Sequence, residues 1–122
     1  MLKRSDDGYW QFVAGGGEDA ELPIEAASRE TREEIGIAPV SRLMQLDSLA
    51  TVPRNCFASA QAMGPDVYVI PEYCFATNVG GSELTLSDEH TDLRWVSYEE
   101  ACSLLRWDSN RNALWELNER LK

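Results

Sequence analysis

The chain has few of the residues that build disulfide-rich or zinc-binding proteins. Its 122 residues contain one histidine, His90, and three cysteines, Cys56, Cys74 and Cys102. The cysteines are odd in number, widely spaced and without a Cys-x-x-Cys pair. The sequence therefore predicts neither a disulfide framework nor a zinc site.

Long apolar runs and basic residues are also scarce. No segment approaches the length of a membrane span, and no long apolar stretch follows Met1-Leu2-Lys3-Arg4, so we expect a cytoplasmic protein without a secretory signal. Eleven Lys and Arg residues stand against 21 Asp and Glu, a formal net charge of -10. This charge disfavours polymeric nucleic acid and anionic membranes as partners. A polyphosphate can still bind such a chain through divalent cations, which invert the local charge.

The length and the order of predicted elements indicate one α/β domain over residues 1–122. The predicted elements are strands at 1–4 and 9–13, a helix at 23–35, strands at 40–52, 67–79 and 93–96, a helix at 97–105, and a last helix from Asp108 or Ser109. This order predicts an α/β sandwich in which the sheet lies between helices.

The best-marked element is the helix from Pro23 to Ile35. Proline is favoured at the first helical position, and Gly36 can adopt the left-handed conformation that ends a helix. Ser97-x-x-Glu100 likewise has the form of a capping box at the start of a later helix.

Three carboxylates share one face of the first helix. Glu30, Glu33 and Glu34 stand at i, i+3 and i+4, within a single turn, where like charges repel. Arg29 and Arg32 can relieve this repulsion. On spacing alone, a solvated charged face is therefore the favoured interpretation.

The opposite face of the helix carries small and apolar side chains that would let it pack closely against a sheet. These residues are Ile24, Ala27, Ser28, Thr31 and Ile35. Carboxylates on a rigidly packed helix, beside the glycine-rich turn at 15–17, suit an oxygen-ligated cation such as Mg²⁺ that also binds substrate phosphates.

A longer pattern favours the metal site over the solvated face. Gly15, five residues, Glu21, seven residues, and then Arg29-Glu30-Thr31-Arg32-Glu33-Glu34-Ile35-Gly36-Ile37 resemble the Nudix box, G-x5-E-x7-R-E-U-x-E-E-x-G-U, where U is bulky and aliphatic. Every fixed polar and glycine position matches, and the one departure is Thr31 at an aliphatic position. Threonine is β-branched like valine, so the departure weakens packing rather than chemistry. The resemblance implies a Nudix-type α/β/α sandwich with a mixed sheet, and an enzyme that hydrolyses phosphoanhydride bonds.

By this resemblance, Glu30, Glu33 and Glu34 are implied metal ligands, together with the backbone carbonyl of Ala14. The implied ion is Mg²⁺, with Mn²⁺ as the alternative. Glu33 and Glu34 are also implied in catalysis, in which a metal-activated water attacks a phosphorus of the pyrophosphate bridge and a glutamate accepts the proton.

The resemblance also implies a supporting set of residues around these carboxylates. Arg29 orients the glutamates through charge-assisted hydrogen bonds, and Glu21 is its expected partner. Gly15 in the turn and Gly36 at the end of the helix shape the backbone on either side of these carboxylates. Glu18 matches a further acidic position often found in the family's loop.

One more carboxylate is expected from a late acidic loop. The family often takes a general base or a metal ligand from such a loop, and Glu89 in Ser87-Asp88-Glu89-His90, with Trp95 downstream, resembles that element. We favour Glu89 over Asp88, with a plain acidic surface turn as the alternative. His90 is assigned no role.

Features outside the box resemble the dATP or dihydroneopterin-triphosphate pyrophosphohydrolase branch of the family. They are Trp10-Gln11-x-Val13-x-Gly15, the segment 70–76, Glu89-His90-x4-Trp95 and the segment 107–114. The implied products are a nucleoside monophosphate and pyrophosphate. The alternatives are a dinucleoside polyphosphate hydrolase, a non-catalytic nucleotide-binding Nudix module and, remotely, an acidic adaptor domain.

The substrate is expected to be a small nucleotide or nucleotide-like triphosphate. Trp10 and Tyr73 are candidates for stacking on its base or pterin, although each also suits a core position. Arg54 is a candidate for contacts with the phosphates or a base edge, or else lies at an exposed strand end.

Compared with the family, the chain starts late, so that the strand normally preceding the Leu2 hairpin is missing. This loss predicts an unpaired sheet edge, which is a hazard unless it is covered. We therefore expect a homodimer in which the partner covers or completes that region.

Overall fold

A computed structural model of the chain describes residues 1–38 and 42–122. The strands are β1 (Leu2–Arg4), β2 (Trp10–Gln11), β3 (Met44–Pro53), β4 (Val69–Ala76) and β5 (His90–Leu93). The helices are α1 (Pro23–Ile35), α2 (Tyr98–Leu104) and α3 (Asp108–Arg120). Two antiparallel sheets result, in the orders β2-β1-β5 and β3-β4, and an isolated parallel bridge joins Trp10 to Leu105. Within the described ranges, no helix is long and apolar enough to cross a membrane.

The predicted α/β architecture is confirmed, and its core draws on both sheets and all three helices. The buried apolar residues are Leu2, Ala26, Ile35, Leu46, Ala101, Leu105 and Ala113. The small alanines at helix positions allow close approach of α1, α2 and α3 to their neighbours.

Strand β1 lies in the middle of its sheet. Lys3 pairs with Trp10 on one side and with Asp92 on the other. The predicted unpaired edge therefore does not fall on β1, and β2 and β5 are the outer strands of this sheet. The homodimer stays a prediction.

Strand β5 was predicted in the wrong place, at 93–96 instead of His90–Leu93. Pairing with β1 decides its position: Leu93 lies opposite Leu2, and His90 opposite Arg4. The segment 87–92 is too polar to indicate a strand by its own composition. Backbone hydrogen bonds to an existing strand override that local preference.

Helix α1 has the predicted bounds, Pro23 to Ile35. Gly36 takes φ 75°, and its N–H donates to the Arg32 carbonyl at 3.0 Å. Beyond this cap, the Thr85 N–H donates to the Ile35 carbonyl at 3.0 Å, and the Ser87 N–H donates to the Glu34 carbonyl at 3.2 Å. The segment that leads into β5 therefore satisfies the carbonyls at the C-terminus of α1.

Several other boundaries differ from the prediction. Strand β2 is shorter than 9–13, β4 is shorter than 67–79, and two 3₁₀ helices, Arg54–Cys56 and Ala60–Met63, lie between β3 and β4. The start of the strand predicted at 40–52 lies partly outside the described residues. Ser97 Oγ accepts the Glu100 N–H at 3.1 Å, which confirms the predicted cap of α2. The N-cap of α3 is Trp107 rather than Asp108 or Ser109.

A carboxylate from α3 holds β3 at an irregularity in its pairing with β4, between Gln45 and Leu49. Glu116 accepts the backbone N–H groups of Asp47 and Ser48, both at 2.7 Å, and the Ser48 hydroxyl at 2.6 Å. The hydrogen bonds from Ser48 and then from Asp47 lower the pKa of Glu116 to about 2. Glu116 thus compensates strand N–H groups that a regular ladder would pair.

Glu116→Gln is expected to lower the melting temperature by several degrees at neutral pH, because the amide offers one acceptor oxygen instead of two charged ones. The folded-state pKa of Glu116 lies below its ordinary value of 4.5, so its stabilisation is complete above pH 4.5 and is lost as the pH falls towards 2. Thermal unfolding from pH 3 to 7 should show the difference between parent and variant shrinking in acid. The matched control is Glu119→Gln, since Glu119 is exposed on the same helix; an equal loss in both variants would contradict this account.

Candidate active site

The most deeply buried acidic side chain is Glu34, in the last turn of α1. It is 2% exposed, so the solvated-face interpretation of the helix is wrong at this position. Its Oε2 accepts the Ala14 N–H at 3.1 Å, and its Oε1 lies 3.4 Å from His90 Nε2. Burial, followed by the charges of Glu30 and Glu89, raises the pKa of Glu34 to about 8. Because burial and like charges oppose the ionisation of Glu34, a positive charge placed nearby would stabilise its carboxylate.

Arg29 connects the glycine-rich turn to α1. Its Nε and Nη2 donate to the Glu21 carboxylate at 2.9 and 3.1 Å, which is the pairing predicted from the sequence. Its Nη1 donates to Glu30 at 2.8 Å, and its Nη2 also donates to the Gly16 carbonyl at 2.8 Å. One planar guanidinium therefore orients a carboxylate of the helix relative to the turn.

The carboxylate of Glu30 fills the space that a side chain at position 15 would need. A Cβ built on Gly15 would lie 2.0 Å from Glu30 Cδ, so that glycine is required by the close approach. Burial is the main cause that raises the pKa of Glu30. Glu33 differs from its neighbours: its side chain is 57% exposed and lies 3.3 Å from Arg29 Nη1.

Glu89 lies on the segment that enters β5. The Ser5 N–H and hydroxyl donate to its backbone carbonyl at 2.9 and 3.0 Å, while its side chain is exposed. The charge of Glu89 contributes to the raised pKa values of both Glu30 and Glu34. The structure thus brings the predicted late-loop carboxylate within electrostatic reach of the helix.

Sequence reasoning missed His90 and Gln11. The buried imidazole of His90 lies between Gln11 and Glu34, with its Nε2 3.2 Å from Gln11 Nε2 and 3.4 Å from Glu34 Oε1. Burial lowers the pKa of His90 below its usual range. No spacing rule could have found this contact, because the three residues come from β2, α1 and β5.

The carboxylate oxygens at this site are donors of the kind that divalent cations bind. Glu34 Oε1 is buried and, among the residues that the structure describes, has no hydrogen-bond partner. A hard cation prefers such carboxylate oxygens and would relieve the mutual repulsion of Glu30, Glu34 and Glu89. Within 1–38 and 42–122, no three His, Cys, Asp or Glu side chains already form a group that could hold a metal ion. Glu30 is directed instead towards Arg29.

The predicted substrate-binding residues are Trp10, Arg54 and Tyr73. Among the residues that the structure describes, none of the three is hydrogen-bonded or ion-paired to the carboxylates of α1 or to Glu89. The Arg94 guanidinium lies over the Trp10 ring, 5.1 Å from its centroid. Arg54 donates from Nη1 to the Gly64 carbonyl at 2.7 Å, in the connection between β3 and β4. Tyr73 is 43% exposed on β4. Of the two aromatic residues, Tyr73 is the more exposed.

Comparison with known proteins agrees with this arrangement. The model of the NUDIX domain family matches residues 1–116. The dihydroneopterin triphosphate diphosphatase of Escherichia coli is 32% identical over 117 residues, which are 93% of this chain and 78% of that protein. The asymmetrical bis(5'-nucleosyl)-tetraphosphatase of Mus musculus is 30% identical over 119 residues, 95% of this chain and 76% of that protein. A crystal structure described as a NUDIX hydrolase from Listeria monocytogenes superposes with a TM-score of 0.85 at 50% identity, covering 98% of this chain and 80% of that one.

The chain therefore belongs to the Nudix family, and it has the fold of Nudix hydrolases. It is a hydrolase that acts on phosphoanhydride bonds. Enzymes of this family generally use divalent metal ions.

Gly15→Ala is expected to reduce kcat/KM by about 10- to 100-fold, because the added methyl group displaces either the turn or the Glu30 carboxylate. Gly16→Ala is the matched control: in the described part of the chain, nothing lies within 4 Å of a Cβ built there. Steady-state hydrolysis of a nucleoside triphosphate measures both variants. Equal activity in the two alanine variants would show that the contact with Glu30 does not matter.

Glu34→Gln is expected to stabilise the metal-free protein at pH 8 and above by several degrees in melting temperature. The folded-state pKa of Glu34 is raised from 4.5 to about 8, so the favourable contribution of its protonated form is complete below pH 4.5 and is lost as the pH rises through 8. Thermal unfolding in EDTA from pH 5 to 9 should show the gain of the variant growing with pH. Glu33→Gln, at an exposed position, serves as control and should show a nearly constant difference.

Proposed function

We propose that the chain hydrolyses a deoxynucleoside triphosphate or a pterin triphosphate to the monophosphate and pyrophosphate in the presence of Mg²⁺. The observation that carries this proposal is the group of Glu30, Glu34 and Glu89. Burial, and then the charges of neighbouring carboxylates that include Glu89, raise the pKa values of Glu30 and Glu34. The similarity to the E. coli dihydroneopterin triphosphate diphosphatase supports the choice of substrate class.

The metal would be held by Glu30, Glu33, Glu34 and the backbone carbonyl of Ala14. A bound divalent cation supplies neutralisation of the phosphoryl oxygens and a lower pKa for the attacking water. The Ala14 N–H donates a hydrogen bond to the Glu34 carboxylate, which keeps that carboxylate beside the turn.

The remaining steps belong to the chain's own side chains. Glu89, exposed at the rim of the carboxylate group, accepts the proton of the attacking water. Arg29 bonds to Glu30 and, through the Gly16 carbonyl, to the turn, which restricts the movement of the Glu30 carboxylate.

Recognition of the base or pterin falls to Trp10 and Tyr73 in this proposal. The Tyr73 ring shares an exposed face of the β3–β4 sheet with its cross-strand neighbour Leu49, which is 62% exposed. An exposed aromatic and aliphatic pair suits one face of a heterocycle. Arg54 is assigned to the phosphates or a base edge, which requires its contact with the Gly64 carbonyl to open.

A dinucleoside polyphosphate hydrolase is the second candidate, and the similarity to the mouse bis(5'-nucleosyl)-tetraphosphatase favours it. A nucleotide-binding module without activity is the third. The cytoplasmic location and the homodimer, both predicted from the sequence, remain part of this proposal.

The parent is expected to release pyrophosphate from dATP or dihydroneopterin triphosphate only when Mg²⁺ is present. Glu33→Gln should lower kcat on the order of 100-fold, because it removes a charged ligand and a candidate for catalysis. Chromatography of the products over a panel of nucleoside triphosphates and dinucleoside polyphosphates measures both effects. Glu119→Gln on α3 is the control.

Two results would contradict the proposal. Preferential cleavage of a dinucleoside tetraphosphate would establish the second candidate. Binding of a nucleoside triphosphate by the parent without turnover, in Mg²⁺ or Mn²⁺, would establish the binding module.

A further inference from the structure

We propose that Arg106 selects the ring of the substrate. Its guanidinium donates two hydrogen bonds to a carbonyl oxygen and an adjacent ring nitrogen, the acceptor pair of a 6-oxopurine or a 4-oxopteridine. The inference deepens the proposed function and rests on it, since the phosphates are taken to bind at the carboxylates. It adds a residue that reads the edge of the ring to the stacking residues described above.

The Arg106 guanidinium lies against two aromatic rings. Its Cζ is 4.4 Å from the centroid of the Tyr9 ring and 4.6 Å from that of the Trp107 ring. Tyr9 is 46% exposed and Trp107 is 51% exposed, so each ring also has surface open to a ligand. A guanidinium stacked on aromatic rings keeps its N–H groups available in its own plane, because the rings cover its faces and not its edges.

These N–H donors are not used by the chain itself. Within residues 1–38 and 42–122, the Arg106 guanidinium contacts the two rings but has no hydrogen bond or ion pair. Several other arginines pair with carboxylates, namely Arg4, Arg29, Arg94, Arg111 and Arg120. The chain has 21 acidic against 11 basic residues, so carboxylates are plentiful. A guanidinium that has none of them is available to acceptors that a ligand brings.

The Tyr9 ring, and with it Arg106, lies on the face of β2 that is turned towards the carboxylate site. The Tyr9 carbonyl accepts a backbone N–H of β1 at 2.9 Å, so the pairing of the hairpin continues to this residue. Side chains two apart on an extended segment share a face and lie ~7 Å apart along it, which places Tyr9 beside Gln11. The Gln11 amide lies 3.2 Å from His90, whose ring is next to Glu34.

The backbone that carries Arg106 is held on both sides. Leu105 is 1% exposed and forms a parallel bridge with Trp10 of β2. Arg111 of α3 donates to the Leu105 carbonyl and, at 3.1 Å from its Nε, to the Cys102 carbonyl. A side chain that projects from a fixed backbone can select the geometry of its partner as well as its charge.

The position of Arg106 favours the ring of the substrate over its phosphates. In the proposed function the phosphates lie with the metal at the carboxylates, and the ring is at the other end of the substrate. Arg106 is displaced from the carboxylates along β2, beyond Gln11, and is bordered by half-exposed aromatic surface. Such surface suits a heterocycle better than a hydrated phosphate.

The chemistry of the guanidinium decides which rings it can read. It is a donor only. A 6-oxopurine presents N7 and O6 as adjacent acceptors, whereas adenine presents N7 beside the N6 amino group, which is itself a donor. A 4-oxopteridine presents the same kind of pair at N5 and O4. Arg106 therefore favours dGTP or dihydroneopterin triphosphate over dATP, and a bidentate pair of this kind discriminates by about 10- to 100-fold.

The first test is the hydrolysis of dGTP, dihydroneopterin triphosphate and dATP by the parent, Arg106→Gln and Arg106→Lys. Arg106→Gln should lower kcat/KM for the two oxo substrates by about 10- to 100-fold and that for dATP by less than about threefold. Arg106→Lys keeps the charge but not the planar fork, so it should lose nearly as much on the oxo substrates. Lys122→Gln, which removes a positive charge at the end of the chain, is the control and should match the parent.

Two kinetic results would overturn the inference. An equal loss on dGTP and dATP in Arg106→Gln that Arg106→Lys restores would assign Arg106 to the phosphates. Unchanged kcat/KM for every substrate would show that the contact with the two rings is only structural. Partial unfolding of a variant does not disturb the test, because the ratio of kcat/KM for two substrates is independent of the fraction of active enzyme.

The second test needs neither metal nor turnover. Calorimetric titration in EDTA should show that the parent binds dGMP at least about tenfold more tightly than dAMP, and that Arg106→Gln loses this preference. Equal affinities, or binding of neither nucleotide, would overturn the role of Arg106. Failure of the parent to hydrolyse any triphosphate would overturn the proposed function instead, and a preference for dGMP in EDTA would persist in that case.

Discussion

The site depends on the backbone hydrogen bonds that join the end of α1 to the segment before β5. Two N–H groups of that segment, from Thr85 and Ser87, bond to the carbonyls of Ile35 and Glu34. Without these bonds the last turn of the helix would need other partners for its carbonyls. Because the same segment continues into β5, the late-loop carboxylate Glu89 is held at a set position relative to the helix.

A second constraint is the balance of charge at a site rich in carboxylates. Arg29 provides positive charge at the helix face and bonds to both Glu21 and Glu30. Glu34 is bonded instead to a backbone N–H and lies against the buried imidazole of His90. These partners leave one buried carboxylate oxygen without a hydrogen bond, and an oxygen of this kind is a donor that divalent cations prefer.

In the proposed function, the carboxylates of the helix and its turn carry the hydrolysis, and the surface outside them selects the substrate. The exposed Leu49 and Tyr73 lie on a different sheet from Gln11 and His90. This separation is consistent with a family whose members share one carboxylate arrangement and differ in the substrate they cleave. The two curated relatives described above, with different named activities at similar identity, illustrate the point.

Local signals determined helix α1 from the sequence alone. Proline at its start and Gly36 at its end act through their own backbone conformations, and the spacing of its charged residues carried the resemblance that defines the family. The tertiary structure alone decided the place of β5 and the burial of Glu34. The strand exists where β1 offers hydrogen bonds, not where its side chains favour it. Helical periodicity places Glu34 on a face, but only the packing of β2 and β5 against α1 decides that this face is closed to water and that His90 and Gln11 reach it.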